Sequence, residues 1–205
     1  VVSVLQIYNS FGANALTDLQ IKIRDLCDLD LTGLTCSQMP IGVLDYLSQD
    51  FETQTSNVDI GISGWLNTAV AGTRKWQGKY FSPNTYAQAT AFGSGLSNME
   101  TWLITPRLNL SKADTLTFES AKAFWAHDGL TVWISTNFDG TNVSAATWSP
   151  LTCTLAGQFD ADYTFVASGI IPLTTFTGTG YIGFKYTGNS TSQTTTYQLD
   201  NVIVH

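Results

Sequence analysis

Short β-type runs, separated by turn residues at close spacing, make up the chain from residue 85 to its end. These runs are rich in β-branched and aromatic residues, which favour strands. The predicted strands read TYAQATAF, TWLITP, DTLTFESAKAF, LTVWIST, DYTFVASGIIPL, GYIGFKYTG and TTYQLDNVIV. No segment keeps a helical period beyond two turns. Many short strands without helices predict an all-β sandwich or barrel, and a length of 205 residues favours a jelly-roll β-sandwich.

The strand TWLITP has an unusual end. Trp102 and Ile104 are two positions apart, so both side chains are expected on the same face of the sheet. Pro106 lacks a backbone N–H and is expected to mark the turn to the next edge. Trp102 and Trp133 both lie in the middle of predicted strands, so we expect them in the core.

A second local pattern, NFDGTN at residues 137 to 142, contains several oxygen donors. A calcium loop of the EF-hand type would need more acidic residues and a closing Glu. Asp139 followed by Gly140 instead predicts a hairpin turn.

Residues 1 to 48 differ from the rest of the chain, because apolar and polar positions alternate as in two half-buried strands. A piece of this size is too small for a good core of its own. We therefore expect residues 1–48 to be a short β segment, the tail of a preceding domain, with the boundary near Ser48 to Asp50. The jelly-roll domain would then span residues 49–205.

Composition excludes several classes of function. Only 12% of the residues are charged, about half of the usual share, which is typical of an extracellular β protein. The net charge of -7 and the scattered Lys and Arg residues argue against nucleic-acid binding. No apolar run reaches the roughly 18 to 20 residues of a membrane span. The chain begins with Val and has no signal peptide, so we expect an excised piece of a longer product.

The three cysteines leave two alternatives open. Cys27 and Cys36 are close enough in sequence to be bridged across a short loop, with Cys153 left over. Free thiols fit the sequence equally well.

Catalytic patterns find little support. A nucleophile needs a base in reach and a third group that orients the base, and the only histidines are His127 and the terminal His205. His127 adjoins Asp128, and neighbouring residues on a strand face opposite sides. Cys and His are too few for a zinc site, and no phosphate-binding glycine loop occurs. We expect no enzyme, with a glycoside hydrolase that uses two carboxylates as the alternative.

An ordered set of motifs resembles a known family. The set runs through DFE (50–52), a loop with Trp65, RKW (74–76), WLITP (102–106), LTVWIST (130–136) and LDNVIV (199–204). It is similar to the choice-of-anchor J or cleaved-adhesin domains of Bacteroidetes surface proteins and gingipains, and distantly to MAM domains. The resemblance implies a non-catalytic jelly roll of the galactose-binding or carbohydrate-binding-module kind. It also implies a secreted or outer-membrane-associated location, either as a monomer or as a module of a larger chain.

The resemblance also implies a structural calcium ion. Related modules hold a cation between an acidic residue of the first strand and one near the last strand, and these match Glu52 and Asp200, with Asp50 as a third candidate. Carboxylates and loop carbonyls form the oxygen shell that calcium prefers. The alternative is that Glu52 caps a turn and that Asp200 accepts backbone N–H bonds.

Aromatic residues are the candidates for ligand binding, because six Trp, eight Tyr and eleven Phe exceed what one core of this size needs. Exposed aromatic faces stack on sugar rings or contact a protein partner. The candidates in loops or at strand ends are Trp65, Trp76, Tyr80, Phe124 and Trp125, each of which could instead be a packing residue. The expected function is binding of a glycan or a surface protein, with a structural spacer as a further alternative.

Overall fold

A computed structural model describes residues 42–205. The predicted N-terminal β segment and the Cys27–Cys36 alternative therefore lie outside the described residues, apart from positions 42 to 48. The division at residue 48 stays a prediction. Within the described part, Leu44 forms a bridge with Leu108, and the strand at residues 47–49 pairs with the last strand of the chain.

The described residues form short strands and one 3₁₀ turn at Val143–Ala145. The strands are β1 (Leu47–Gln49), β2 (Leu66–Ala71), β3 (Gln77–Phe81), β4 (Asn84–Ala89), β5 (Met99–Ile104), β6 (Leu108–Asn109), β7 (Thr115–Ala123), β8 (Leu130–Ser135), β9 (Ser149–Pro150), β10 (Val166–Ala167), β11 (Ile171–Pro172), β12 (Thr179–Gly188) and β13 (Thr196–Val204). Residues 42–205 include no helix that could span a membrane.

The strands form two antiparallel sheets. The first sheet has the order β10-β7-β13-β4-β3, with β1 also paired to β13 and β11 to β7. The second sheet has the order β2-β5-β12-β8-β9, with β6 paired to β12. Two packed sheets with strands drawn from distant parts of the chain confirm the predicted all-β jelly-roll sandwich.

The main core lies between the two sheets and follows the two-residue alternation of the strands. On β12, Ile182, Phe184 and Tyr186 are buried in this core, while Tyr181 and Lys185 on the opposite face are only half-buried. Phe184 packs edge-to-face against Phe118 of the opposite sheet, with ring centroids 5.2 Å apart. Aromatic contacts of this kind hold the two layers together.

The predicted strand runs correspond well to the observed strands. Six of the seven runs each overlap one strand of six residues or more, with β4, β5 and β12 beginning one or two residues before the predicted run, whereas DYTFVASGIIPL contains the two short strands β10 and β11. Gly169 separates them and adopts a positive φ of 74°, which breaks the extended backbone. Strands β2 and β3 were not predicted.

The predicted hairpin at Asp139-Gly140 is wrong in its details. Strands β8 and β9 do pair, but the connection between them runs over residues 136–148 rather than through a two-residue turn. Asp139 Oδ1 instead accepts hydrogen bonds from the backbone N–H groups of Thr141 and Asn142. The local turn chemistry was recognised, but the length of the loop depends on its packing against the sheet.

Candidate functional site: a tryptophan cleft on the outer face of the second sheet

Three neighbouring strands of the second sheet place large side chains on its outer face. Trp102 of β5 pairs with Lys185 of β12, and Trp133 of β8 pairs with Gly183 of β12. Because side chains alternate along a strand, these residues point away from the main core. Trp148 joins them from the loop, and we call this surface the tryptophan cleft. Its lining residues are Glu100, Trp102, Trp133, Val143, Ser144, Ala146, Trp148 and Lys185.

Gly183 allows the indoles to lie directly on the sheet. A Cβ at this position would come within 2.8 Å of Trp102 Cε3 and 3.2 Å of Trp148 Cζ3. The ring centroids of Trp102 and Trp148 are 4.8 Å apart, and those of Trp102 and Trp133 are 6.5 Å apart. A residue larger than glycine would displace these rings from the backbone of β12.

The loop 136–148 forms one wall of the cleft. Phe138 and Val143 are buried, and Phe138 packs against Trp148 with ring centroids 5.4 Å apart. Asn137 Oδ1 accepts a hydrogen bond of 2.9 Å from the backbone N–H of Thr147, which closes the base of the loop. Internal hydrogen bonds of this kind reduce the number of conformations the loop can adopt, so the wall is fixed before any ligand arrives.

Each indole N–H of the cleft is bonded within the protein. Trp102 is only 4% exposed and forms the floor, whereas Trp133 and Trp148 are half-buried. With the N–H edges anchored, the ring planes are held in one orientation and the ring faces line the cleft. The bonds run from Trp102 Nε1 to Glu100 Oε1 (2.8 Å), from Trp133 Nε1 to Thr131 Oγ1 (2.8 Å) and from Trp148 Nε1 to the Val143 carbonyl (3.0 Å).

A single ion pair supplies the charge in the cleft. Lys185 Nζ lies 3.0 Å from Glu100 Oε2, and the two side chains are 23% and 25% exposed. The same ammonium group lies 5.4 Å from the centroid of the Trp102 ring, within reach of a cation–π contact. The pair is electrically neutral and still offers N–H donors and carboxylate lone pairs to a ligand. The cleft has a volume of about 290 Å³.

Two of the predicted binding aromatics, Trp76 and Trp65, do not line the tryptophan cleft. Trp76 is fully buried in the main core, because its carbonyl accepts hydrogen bonds from Ile60 N and Asn67 Nδ2 and the preceding loop is fastened over it. Trp65 is half-buried and packs edge-on against Phe51, with ring centroids 5.7 Å apart. The contacts of these two tryptophans match the alternative that they are packing residues.

Two of the other three predicted aromatics are exposed, and the third is half-buried. Trp125 is half-buried and donates its indole N–H to Asp128 Oδ1 at 3.0 Å. Tyr80 and Phe124 are largely exposed, and Phe124 packs edge-to-face on Tyr163 with ring centroids 6.1 Å apart. None of the three lines the tryptophan cleft.

Sequence reasoning missed Trp133 as a cleft residue, although a signal for it exists. In LTVWIST, Leu130, Val132 and Ile134 have the spacing of one apolar face, and all three are buried in the main core. Trp133 must therefore point to the opposite side. Trp148 carries no such signal, because only the packing of the loop on the sheet brings it to the cleft.

The predicted metal ligands Glu52 and Asp200 lie near each other, at the first sheet. Glu52 Oε1 accepts a hydrogen bond from the backbone N–H of Thr85, and Asp200 Oδ2 accepts one from the adjacent Asn84 side chain. Glu119 lies beside Asp200 on the neighbouring strand. Asp50 is exposed, and its Oδ1 accepts a bond from the N–H of Glu52. We call Glu52, Glu119 and Asp200 the carboxylate cluster.

Asp200 is the most buried member of this cluster, at 2% exposure. Burial raises the pKa of its carboxyl group, hydrogen bonds from the Asn84 side chain and the Asn201 N–H partly oppose this rise, and the carboxylates of Glu119 and Glu52 add to it. Among the described residues no Lys, Arg or His forms an ion pair with Asp200. Oxygen donors and uncompensated negative charge suit a hard cation, but no group of three or more metal-ligating side chains is assembled within residues 42–205.

The surroundings of His127 and Cys153 suit a role in packing rather than in catalysis. The His127 ring lies between Thr195 Oγ1 at 3.1 Å and the Thr187 carbonyl at 2.7 Å, away from any carboxylate in hydrogen-bond reach. Cys153 is a free, half-buried thiol, and burial raises its pKa to about 11. A thiol with this pKa is protonated at neutral pH and is a poor nucleophile.

The fold is similar to that of solved cleaved adhesin domains. The K1 domain of Lys-gingipain from Porphyromonas gingivalis W83 is 21% identical, with a TM-score of 0.54 over 78% of this chain and 97% of that domain. The K3 domain from the same organism is 23% identical, with a TM-score of 0.53 over 77% and 97%. The K2 domain of Lys-gingipain is 14% identical, with a TM-score of 0.55 over 78% and 97%. No family model and no curated protein sequence matches the chain.

Proposed function

We propose that this chain is an extracellular, non-catalytic binding module that holds a neutral saccharide in the tryptophan cleft. The proposal rests mainly on one observation. The half-exposed indoles of Trp133 and Trp148 are fixed by internal hydrogen bonds beside the half-buried pair of Lys185 and Glu100. The low charged fraction and the likeness in fold to cleaved adhesin domains support a location at the cell surface. The order of the sequence motifs supports a place within a longer protein of the choice-of-anchor J type.

The chemistry of the cleft matches that of a sugar ring. A pyranose presents an apolar C–H face, which packs on an indole face, and a rim of hydroxyl groups, each of which donates and accepts hydrogen bonds. Lys185 offers donors to that rim and Glu100 offers acceptors. A volume of about 290 Å³ lies at the lower end of the range of ligand pockets, so a terminal sugar or a short stretch of a glycan is the expected ligand.

The cleft does not support glycoside hydrolysis. Hydrolysis of a glycosidic bond needs two carboxyl groups on opposite sides of the bond. Among the described residues, Glu100 is the only carboxylate that lines the cleft, and both of its oxygens are engaged, one by Trp102 and one by Lys185. The arrangement is suited to retaining a saccharide without cleaving it.

A glycan array followed by calorimetric titration tests this proposal. We expect Trp133→Ala and Trp148→Ala each to weaken saccharide affinity about tenfold or more, because each removes a stacking face. Trp125→Ala is a matched control, since Trp125 is also half-buried but lies outside the cleft. Equal affinity in all four proteins, absence of any bound glycan, or release of cleaved product would overturn the proposal.

We also propose that Glu52 and Asp200, with Asp50 as an outer member and loop carbonyls completing the oxygen shell, hold a structural calcium ion. When bound, the ion would neutralise the buried charge of Asp200 and link β13 to the segment after β1. A ligand that binds only the folded state raises the melting temperature by mass action. We expect calcium to raise the melting temperature of the wild type and not that of Glu52→Gln. Equal melting curves with calcium and with chelator, together with no calcium by elemental analysis, would exclude the ion.

A further inference from the structure

A second concave surface lies on the outer face of the first sheet. It is larger than the tryptophan cleft, with a volume of about 540 Å³. We call it the aromatic groove. Its lining residues are Phe81, Ser82, Pro83, Asn84, Tyr86, Tyr163, Phe165 and Gln198. This set contains phenyl and phenol rings, a proline and neutral polar groups, and no charged side chain.

Strands and a loop build the groove together. Tyr86 of β4 packs edge-to-face on Phe165, with ring centroids 5.7 Å apart. Phe81, at the end of β3, is 75% exposed and forms the rim with Tyr163. Phe124, one of the aromatics expected from the sequence to bind a ligand, contacts Tyr163 from outside and extends this rim.

The loop side of the groove is anchored to β7. The backbone N–H of Tyr163 donates a 2.7 Å hydrogen bond to the carbonyl of Lys122. The buried Lys122 ammonium also pairs with Asp162 Oδ1 at 2.6 Å. Tyr163 is thereby held in a left-handed backbone conformation, with φ of 62°, and its position on the rim is set before a ligand binds.

Gln198 gives the groove an unused hydrogen-bond donor. It lies in the middle of the sheet, paired with Gln88 of β4 and Ala121 of β7, and is 1% exposed. Its amide Nε2 has no hydrogen-bond partner, one of two such buried side-chain atoms within residues 42–205. The other is Trp76 Nε1, which lies in the main core. A buried donor without a partner is costly in the free protein, and a ligand that supplies an acceptor removes that cost.

These features restrict the chemistry of the ligand. An uncharged groove does not compensate the desolvation of a charged group, so the ligand must be neutral. A saccharide hydroxyl that accepted a bond from this donor would also bring an O–H that needs an acceptor, and the lining of the groove contains no carboxylate to supply one. A proline-rich peptide in the polyproline II conformation brings apolar rings and unpaired carbonyl acceptors, and its prolines have no N–H groups that need a partner. Grooves lined by aromatic side chains are a recurrent site for such peptides.

We propose that the aromatic groove binds a proline-rich segment of a protein partner, with one backbone carbonyl of that segment accepting a hydrogen bond from Gln198 Nε2. This interaction is independent of the saccharide proposed for the opposite face. The module would then link a glycan on one side to a protein on the other.

Titration of the whole chain with an acetylated and amidated decaproline peptide tests the proposal, with a Gly-Ser peptide of the same length as the reference. We expect decaproline to bind and the Gly-Ser peptide not to bind. Phe81→Ala and Tyr163→Ala should each weaken the affinity about tenfold, because they remove the exposed walls. Phe159→Ala is the control, since Phe159 is 97% exposed and lies outside the groove.

Gln198→Met supplies a readout that a purely structural residue would not give. Removing an unpaired buried amide while keeping a similar shape should raise the melting temperature of the free protein. The same variant should weaken decaproline binding about fivefold or more, since the bound carbonyl loses its donor. A lower melting temperature would show that Gln198 is already satisfied in the fold and would overturn the inference.

The remaining outcomes separate the two faces. Failure of decaproline to bind at millimolar concentration, or unchanged affinity in Gln198→Met, would overturn the peptide site and leave the saccharide cleft untouched. A saccharide whose binding is lost in Tyr163→Ala and kept in Trp133→Ala would assign the groove to glycans and would also contradict the peptide proposal.

Discussion

The two outer faces of the sandwich differ in how their aromatic residues are supported. The floor of the tryptophan cleft, Trp102, is nearly as buried as a core residue, and the indole N–H groups are all bonded internally. In the aromatic groove the rim residues Phe81 and Tyr163 are exposed, and the amide of Gln198 is unpaired. On the first face, loss of a ring should therefore affect stability and the proposed saccharide binding together, whereas on the second face loss of a rim ring should affect the proposed peptide binding alone. The faces should therefore respond differently to the same kind of substitution.

The largest difference is expected on removing one aromatic ring from each face. Trp102→Ala should cost about 3 to 5 kcal/mol of unfolding free energy, because it leaves a large cavity beneath Trp133 and Trp148. Phe81→Ala should change the unfolding free energy by less than about 0.5 kcal/mol, because that ring is 75% exposed. Urea denaturation measures both values. Similar losses in the two variants would contradict the distinction.

A smaller effect is expected from a single methyl group at Gly183. Gly183→Ala brings a Cβ within 2.8 Å of Trp102 and should cost about 1 to 3 kcal/mol through overpacking. The displaced indoles should also weaken saccharide binding while leaving decaproline binding unchanged. Gly157→Ala is the control, because a Cβ there meets only atoms at 3.9 Å. Calorimetry with both ligands checks the result, and a loss of decaproline affinity would mean that the two faces are coupled.

The two sides of the molecule also differ in whether a buried or half-buried carboxylate has a basic partner. Glu100 has Lys185 as its partner, whereas Asp200 has no basic partner among the described residues. Burial raises the pKa of the Asp200 carboxyl group above its ordinary value of 3.8, and nearby carboxylates add to this rise. In metal-free protein the folded state therefore holds this proton to a higher pH than the unfolded chain does. The resulting stabilisation is complete below pH 3.8 and is lost as the pH rises through the folded pKa.

Asp200→Asn should prevent the loss of stability that accompanies ionisation of Asp200 in metal-free protein. In chelator at pH 7 we expect its melting temperature to exceed that of the wild type by a few degrees, because the unpaired buried charge is gone. With calcium added, the order should invert, since only the wild type gains from the ion. Thermal melts over a pH series, with and without calcium, measure both effects. A wild type that is the more stable protein in chelator would contradict the proposed charge imbalance.

The smallest expected effect is that of salt. Saccharide affinity should change by less than about twofold between about 0.1 M and 1 M NaCl, because stacking and partly buried hydrogen bonds are weakly screened. Decaproline affinity should not fall, since the groove has no charged residue. Titrations at both salt concentrations provide the comparison. Loss of saccharide binding at 1 M salt would show that the saccharide affinity comes from charge interactions rather than from stacking on the indole faces.

Much of the fold was predictable because strand signals are local. Alternating β-branched and aromatic residues identified the long strands β7, β12 and β13, and the absence of a helical period indicated the all-β class. The strands β2 (LNTAVA) and β3 (QGKYF) were missed since their sequences carry weak β signals. Their pairing with β5 and β4 depends on neighbours that are not adjacent in the sequence.

The two proposed binding surfaces were less predictable. The sequence predicts exposed aromatics in loops and at strand ends, but Trp76 is in the core and Trp133, in the middle of a strand, lines a cleft. A sandwich has two outer faces as well as one interior, so a mid-strand residue has an equal chance of facing outward. The Gln198 donor had no signal, because an amide becomes unpaired only through its surroundings.

By itself the sequence determined which segments are extended and which positions share a face, because both follow from local backbone preference and the two-residue period of a strand. It also limited the partners, since few charges leave apolar and hydrogen-bonding contacts as the main sources of affinity. Only the tertiary structure decided which face of each sheet is covered, by folding the loop 136–148 over one and the segment 162–165 over the other. Those contacts join residues far apart in the chain, and their energy depends on packing that no local pattern encodes.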